Sequence, residues 1–187
     1  MFENIIKNVH NRHPLIHCIT NYVSINDCAN IVLACGGAPI MAEDINEVSQ
    51  ITSICQGLDI NIGMLNDNKL SSMLKAGATA NELGIPVILD PVGAGSSDYR
   101  IKAVQNLMSN VQFGVIRGNV SEIKAIAAKQ GIHNISAGVY DTMQKDKSAM
   151  GVEAGIADKI TDDNIKEMAD FINKLSQKTG AVIAVTG

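Results

Sequence analysis

What most constrains this chain is a repeating pattern: short runs of successive apolar residues, rich in Ile and Val, separated by longer stretches of helical periodicity. The runs fall at residues 14–19, 38–41, 58–62, 86–89, 113–116 and 181–185. A run that is apolar on consecutive residues, such as Pro86-Val-Ile-Leu or Ala181-Val-Ile-Ala-Val, has no polar side to turn to water. It suits a strand covered on both faces, as in a parallel sheet. Between the first two runs, residues 24–35 carry Ile25, Cys28, Ala29, Val32 and Cys35 at spacings of three and four, and Gly36 supplies the stop. Residues 44–55, 66–83 and 100–108 follow the same logic, with Gly84 closing the second of these ahead of Pro86. Helices are also expected at 123–129 and 162–178, with 133–159 a mixed connection of weak periodicity. Strand and helix alternate, which implies right-handed βαβ units. The expected class is therefore α/β, a three-layer, doubly wound and mostly parallel sheet with ligands at the carboxyl ends of its strands.

Composition narrows the function. The 187 residues are 46% hydrophobic, enough to bury one substantial core in one domain. With 15 basic against 19 acidic side chains and a net charge of −4, there is no electrostatic case for nucleic acid or an anionic membrane surface. Aromatic residues make up 3% and Trp is absent, which argues against a base-stacking platform. Glu3, Lys7 and Arg12 interrupt the N-terminal stretch, so it lacks a signal peptide's apolar region, and no window is apolar enough to span a bilayer. Cys18, Cys28, Cys35 and Cys55 form no CxxC pair and have no His at zinc-finger spacing, so they read as reduced thiols. A cytoplasmic protein with small-molecule partners is expected.

Chemistry is expected just after each strand. The fourth run leads into Asp90-Pro-Val-Gly93-Ala-Gly95, a carboxylate and two glycines that suit a phosphate or Mg²⁺ corner, or equally a strand-end Asp with turn glycines. Neither the three-glycine dinucleotide fingerprint nor GxxxxGK[ST] is present. The fifth run leads into Ile116-Arg117-Gly118-Asn119-Val-Ser-Glu122. Asn119 and Glu122 stand at capping-box spacing, while Arg117 beside a helix N-terminus and a second carboxylate is equipment for phosphate oxygens and a hydrated Mg²⁺. Thr186-Gly187 brings a hydroxyl to the same edge. After the first run, Thr20 or Asn21 is placed to cap the next helix. Met41 reads as core filling or as the wall of a pocket for a flat heteroaromatic ring. Gly63 permits close approach by a ligand or by another chain segment.

Six ordered blocks resemble the hydroxyethylthiazole kinases: His17-Cys-Ile-Thr-Asn-Tyr-Val23, Ala38-Pro-Ile-Met-Ala42, Asn61-Ile-Gly63, Ala80 through Gly95, Ile116-Arg-Gly-Asn-Val-Ser-Glu-Ile123 and Thr179 through Gly187. The resemblance implies a single ribokinase-like domain over 1–187 and a homotrimer with sites between subunits. It also implies transfer of the ATP γ-phosphoryl group to the hydroxyl of 4-methyl-5-(2-hydroxyethyl)thiazole in thiamine biosynthesis. Position by position, Asn21, Val23, Met41 and Gly63 match the thiazole pocket, and Arg117, Asn119 and Thr186 match the ATP-phosphate side. Asp90 and Glu122 match the Mg²⁺ side, acting through water. Met64 departs from the small hydroxyl residue common there. Family members continue into a glycine-rich anion hole, whose last residue is the candidate base, and into an adenine-binding segment. The resemblance thus implies a truncated product lacking both, with its base unassigned and little or no kinase activity. The alternatives are a nucleotide-dependent NAD(P)-hydrate dehydratase-type lyase and a non-catalytic thiazole-binding module.

Overall fold

A computed structural model describes residues 2–132, 160–161 and 164–186. The chain runs α1 (Phe2–Arg12), β1 (Leu15–Ile19), α2 (Ile25–Ala34), β2 (Ala38–Ile40), α3 (Val48–Ser53), β3 (Gly57–Asn61), α4 (Asp67–Glu82) and β4 (Val87–Asp90). It continues through α5 (Asp98–Asn110), β5 (Val115–Asn119), α6 (Val120–Lys129), α7 (Ile165–Thr179) and β6 (Val182–Thr186). The strands lie in the order β2-β1-β3-β4-β5-β6, and every pairing is parallel. All six apolar runs are therefore strands. β4 and β5 extend past their apolar runs because the ladder continues through polar residues, pairing Asn61 with Asp90 and Asn119 with Thr186. That extension places the polar side chains on the last rungs.

The order of the strands explains the layers. From β1 to β2 the chain moves one way across the sheet, and from β3 through β6 it moves the other. Right-handed crossovers then put α2 on one face and the helices between β2 and β6 on the other. α3, α4, α5 and α6 pack side by side over one face. Ile19, Ile60, Leu89 and Ile116 are successive register partners in a single row across that face, each essentially without solvent contact. They share a core with Met73 and Ala76 of α4, Leu107 of α5 and Ile123 of α6. Burying each such side chain contributes about 1.5–3 kcal/mol.

The second face corrects one expectation. Consecutive apolar residues led to strands covered on both sides, yet Ile88 is 41% exposed and Val182 63% exposed. Only β1 to β2 runs in the direction that puts a helix there, so among the described residues α2 covers the β1–β3 half and leaves β4 and β6 open.

Helix boundaries differ where local hydrogen bonds compete. α3 is shorter than 44–55 because Asp44 closes an Asx turn, its Oδ1 accepting from the Asn46 N–H at 2.8 Å. α5 starts at Asp98 because the Ser97 hydroxyl caps it, accepting from the Arg100 N–H at 3.2 Å. α1 went unassigned in the sequence, although Ile5, Ile6 and Val9 recur on one side of a charged helix carrying the Glu3–Lys7 pair at 2.8 Å. Gly36 and Gly84, the expected stops, have φ of +92° and +67°, and Gly180 ends α7 at +71°. α7 begins at Ile165 rather than at 162. The expected connection at 133–159 lies outside the described residues. No helix among them is long and apolar enough to cross a membrane.

Candidate active site

The reversal of direction between β1 and β3 leaves a crevice at their carboxyl ends, where ligands of such sheets bind. Asn21, in the turn after β1, uses both ends of its amide. Its Oδ1 accepts from the Ser24 N–H at 3.0 Å, and its Nδ2 donates to Asn61 Oδ1 at 3.1 Å. Asn61, the last residue of β3, also accepts from the Gly63 N–H at 2.8 Å and donates to Asp90 Oδ2 at 3.1 Å. The same Asp90 oxygen faces Arg117 Nη1 at 3.3 Å. A continuous polar relay therefore crosses the ends of β1, β3, β4 and β5: Asn21, Asn61, Asp90, Arg117.

Gly63 is fixed by this relay. A Cβ there would stand 2.9 Å from both Asn21 Nδ2 and Asn61 Oδ1, too close for any side chain. Of the two approaches the glycine was expected to permit, the chain's own amides make one.

Asp90 is only partly satisfied. Its second oxygen, Oδ1, is buried with no hydrogen-bond partner. Burial pushes this carboxyl above the usual range and the Glu122 charge adds to that, while Arg117 and the Asn61 amide pull it back. An unmet buried oxygen costs about 1–3 kcal/mol, a cost a ligand's donor or an ion's water would relieve.

The capping box is formed. Asn119 Oδ1 accepts from the Glu122 N–H at 2.9 Å, and Glu122 Oε2 accepts from the Asn119 N–H at 2.8 Å. Glu122 Oε1 accepts from the Gly93 N–H at 2.8 Å, which ties the β4 glycine turn to α6. Gly93 adopts the left-handed conformation expected of it, with φ +66°, but its N–H is directed at Glu122 rather than held out toward an incoming anion. Thr186 lies opposite Asn119 in the β5–β6 ladder, its Oγ1 3.5 Å from the Gly118 carbonyl. Val23, 88% exposed, and Met41, half-buried, lie in the chain segments that follow β1 and β2.

Two cations missed in the sequence hold the site's walls. Lys69, in the first turn of α4, is buried; its Nζ donates to the Thr20 carbonyl at 2.6 Å, pairs with Glu43 Oε2 at 2.7 Å and stands 4.6 Å from the centre of the Tyr22 ring. The Tyr22 hydroxyl donates to Glu43. Burial raises the Glu43 carboxyl, but Lys69 and Tyr22 outweigh it and hold it below the usual range. Arg100, in the first turn of α5, donates to the carbonyls of Ile62 at 2.8 Å, Val92 at 2.7 Å and Gly63 at 2.7 Å. It clamps the turns after β3 and β4. Lys69 had a readable signal: it precedes Met73 and Ala76 by four and seven, which puts a cation on the helix's apolar stripe. His17, by contrast, is structural, buried between Thr52 Oγ1 at 2.9 Å and the Ala42 carbonyl at 2.8 Å.

Open depressions lie on the surface of the described residues. One of about 440 Å³ lies at the opposite edge of the sheet, against Asn81, Val111 and Ala181, away from these polar groups. Another, about 560 Å³, is lined by Glu43 and Lys69.

A sequence profile described as the Hydroxyethylthiazole kinase family matches residues 6–187. The chain belongs to the hydroxyethylthiazole kinase family. A relative named hydroxyethylthiazole kinase from Clostridium acetobutylicum is 52% identical over 187 residues, covering 100% of this chain and 63% of its own length. Another from Desulfovibrio desulfuricans is 45% identical, with 100% and 60% covered. The solved structure of a hydroxyethylthiazole kinase protein from Pyrococcus horikoshii OT3 superposes with a TM-score of 0.78 at 30% identity, covering 98% of this chain and 59% of that one. The chain thus spans about three fifths of the length of these family members.

Proposed function

We propose that the protein is an ATP-dependent kinase for the hydroxyl of 4-methyl-5-(2-hydroxyethyl)thiazole, and that this chain carries the thiazole pocket and the phosphate corner. Family membership supports the reaction class. The observation that carries the reading is the relay from Asn21 to Arg117, which joins neutral amides to an exposed guanidinium along one sheet edge. On this reading Asn21, Val23, Met41 and Gly63 receive the heterocycle, whose flat, uncharged ring calls for shape and a few amide contacts. Arg117, with half its side chain in solvent, meets the ATP phosphates with Asn119 and Thr186.

The residues fit Mg²⁺ in an outer role. Asp90 Oδ1 is free of partners and suits a metal-bound water, whereas both Glu122 oxygens already accept backbone N–H groups, so Glu122 contributes mainly its charge. When bound, Mg²⁺ supplies charge neutralisation at the phosphates. The protein groups position the alcohol and the phosphates against each other, which is most of what phosphoryl transfer asks of a protein. The exposed Tyr22 and Val23 offer the surface that a second subunit of a homotrimer would cover, in a cytoplasmic enzyme.

The test offers a protein of the family's full length ATP and Mg²⁺ with the thiazole alcohol, and separately with a hydrated nicotinamide nucleotide, beside the 187-residue chain, from which little or no ester is expected. From the full-length protein the reading expects a thiazole phosphate ester by mass spectrometry and no dehydration. Calorimetric binding of the alcohol without ester formation would reduce the protein to a binding module. Absence of both binding and ester would remove the assignment. Light scattering after gel filtration tests the trimer.

A further inference from the structure

The sheet face away from the main core carries a cluster that phosphoryl transfer does not use. Cys18 of β1 and Asp59 of β3 are direct register partners on that face, and Cys28 reaches it from α2. One ligand atom from each of the three lies within 4.8 Å of the other two, and Cys28 Sγ is 4.0 Å from Asp59 Oδ2. Cys18 is buried, and Cys28 and Asp59 are half-buried. All four cysteines are free thiols.

Asp59 is out of place by ordinary packing rules. It stands mid-strand in Gly57-Leu-Asp-Ile-Asn, and among the described residues no cation pairs with it; the donor it meets is the weak S–H of Cys28. Burial, followed by the Asp90 charge, pushes its carboxyl up to about 6. Burial likewise raises the Cys18 thiol, with Cys28 and Asp59 adding to it. Burial opposes ionisation of all three groups, and a shared cation would reverse that preference by stabilising the thiolates and the carboxylate together.

We propose that Cys18, Cys28 and Asp59 bind one thiophilic divalent cation of the Zn²⁺ class, leaving one coordination position open. Two sulfurs and a carboxylate oxygen are a borderline-soft donor set, suited to Zn²⁺ and unsuited to Mg²⁺, which prefers oxygen ligands alone. Tetrahedral zinc, with Zn–S about 2.3 Å and Zn–O about 2.0 Å, holds neighbouring donors roughly 3.5 Å apart, so the observed spacing needs only small side-chain movements. Each thiol gives its proton to solvent as its sulfur takes the metal. Among the described residues, Ile88, the register partner of Asp59 on β4, is 41% exposed on this face, the side from which a metal would approach. The proposal does not depend on the kinase reading.

The experiment titrates the metal-free, reduced protein with Co²⁺ as a spectroscopic probe for Zn²⁺. The expected result is uptake of one Co²⁺ per chain with a thiolate-to-cobalt charge-transfer band in the near ultraviolet, abolished by competing Zn²⁺. Cys28→Ser should lose the band, and Cys35→Ser, whose thiol is exposed at the end of α2, should keep it. Absence of the band in the wild-type protein overturns the proposal, as does an unchanged band in Cys28→Ser or its loss in Cys35→Ser. Thermal melting without metal establishes that each variant is folded. Should Cys28→Ser be unfolded, the near-isosteric Asp59→Asn decides: weakened uptake supports the site and unchanged uptake overturns it.

Discussion

The two halves of the sheet's carboxyl edge are completed to different degrees. On the β1–β3 side, Asn21, Asn61, Glu43 and Lys69 partner one another or nearby backbone groups, and Gly63 leaves no room for a side chain of its own. On the β4–β6 side, Asp90 keeps a buried oxygen without a partner and Arg117 stands half in solvent. The contrast matches what each half is proposed to receive. A neutral ring must be recognised by a shape built in advance, whereas a triphosphate brings charge that unfinished ionic partners can take up.

Substitutions on the two sides should therefore separate. The largest effect is expected for Arg117→Ala, which in the full-length enzyme should lower kcat/KM for ATP about 10²-fold or more while leaving calorimetric affinity for the thiazole alcohol unchanged. Equal losses in both would erase the distinction between the halves. Gly63→Ala attacks the finished half: its methyl would meet two amides at 2.9 Å. It should destabilise the fold by about 1–3 kcal/mol in urea unfolding and weaken alcohol binding with little change in ATP affinity. Lys69→Met should cost about 1–2 kcal/mol by the same measurement, since it strips a partner from the Thr20 carbonyl while Glu43 is eased by its partial exposure. A wild-type unfolding midpoint in that variant would contradict the wall-holding role given to Lys69.

The smallest effect is a pH dependence in the unfinished half. The Asp90 carboxyl is raised by burial, so the folded state holds that proton more tightly than the unfolded state does. Below the usual carboxylate range the group costs nothing. As pH rises from there through its folded value, the ligand-free protein loses stability. Asp90→Asn should flatten that part of the stability curve, and a slope identical to wild type would assign the pH response elsewhere.

How much of this was legible follows from what sets each feature. The strands were plain because a run of consecutive apolar residues has few other uses, and the glycine stops after α2 and α4 followed from the helical periodicity before them. α1 was obscured because its apolar side is itself half-exposed, with Ile5 and Ile6 among the exposed residues. The open face over Ile88 and Val182 could not be read, since apolar composition says that a face wants cover but not what covers it. At Asn119 and Glu122 the spacing allowed a cap or a phosphate corner. The structure forms the cap and gives the second Glu122 oxygen to Gly93, a contact across 29 residues. Lys69 and Arg100 act on carbonyls 49 and 38 positions away, which no local spacing rule encodes.

The most direct test of the two-halved edge is a crystal structure of the protein with the thiazole alcohol, Mg²⁺ and a non-hydrolysable ATP analogue. The alcohol is predicted against Asn21 and Gly63, with the phosphates at hydrogen-bonding distance from Arg117. Either ligand bound away from the carboxyl ends of β1, β3, β4 and β5 would contradict the account.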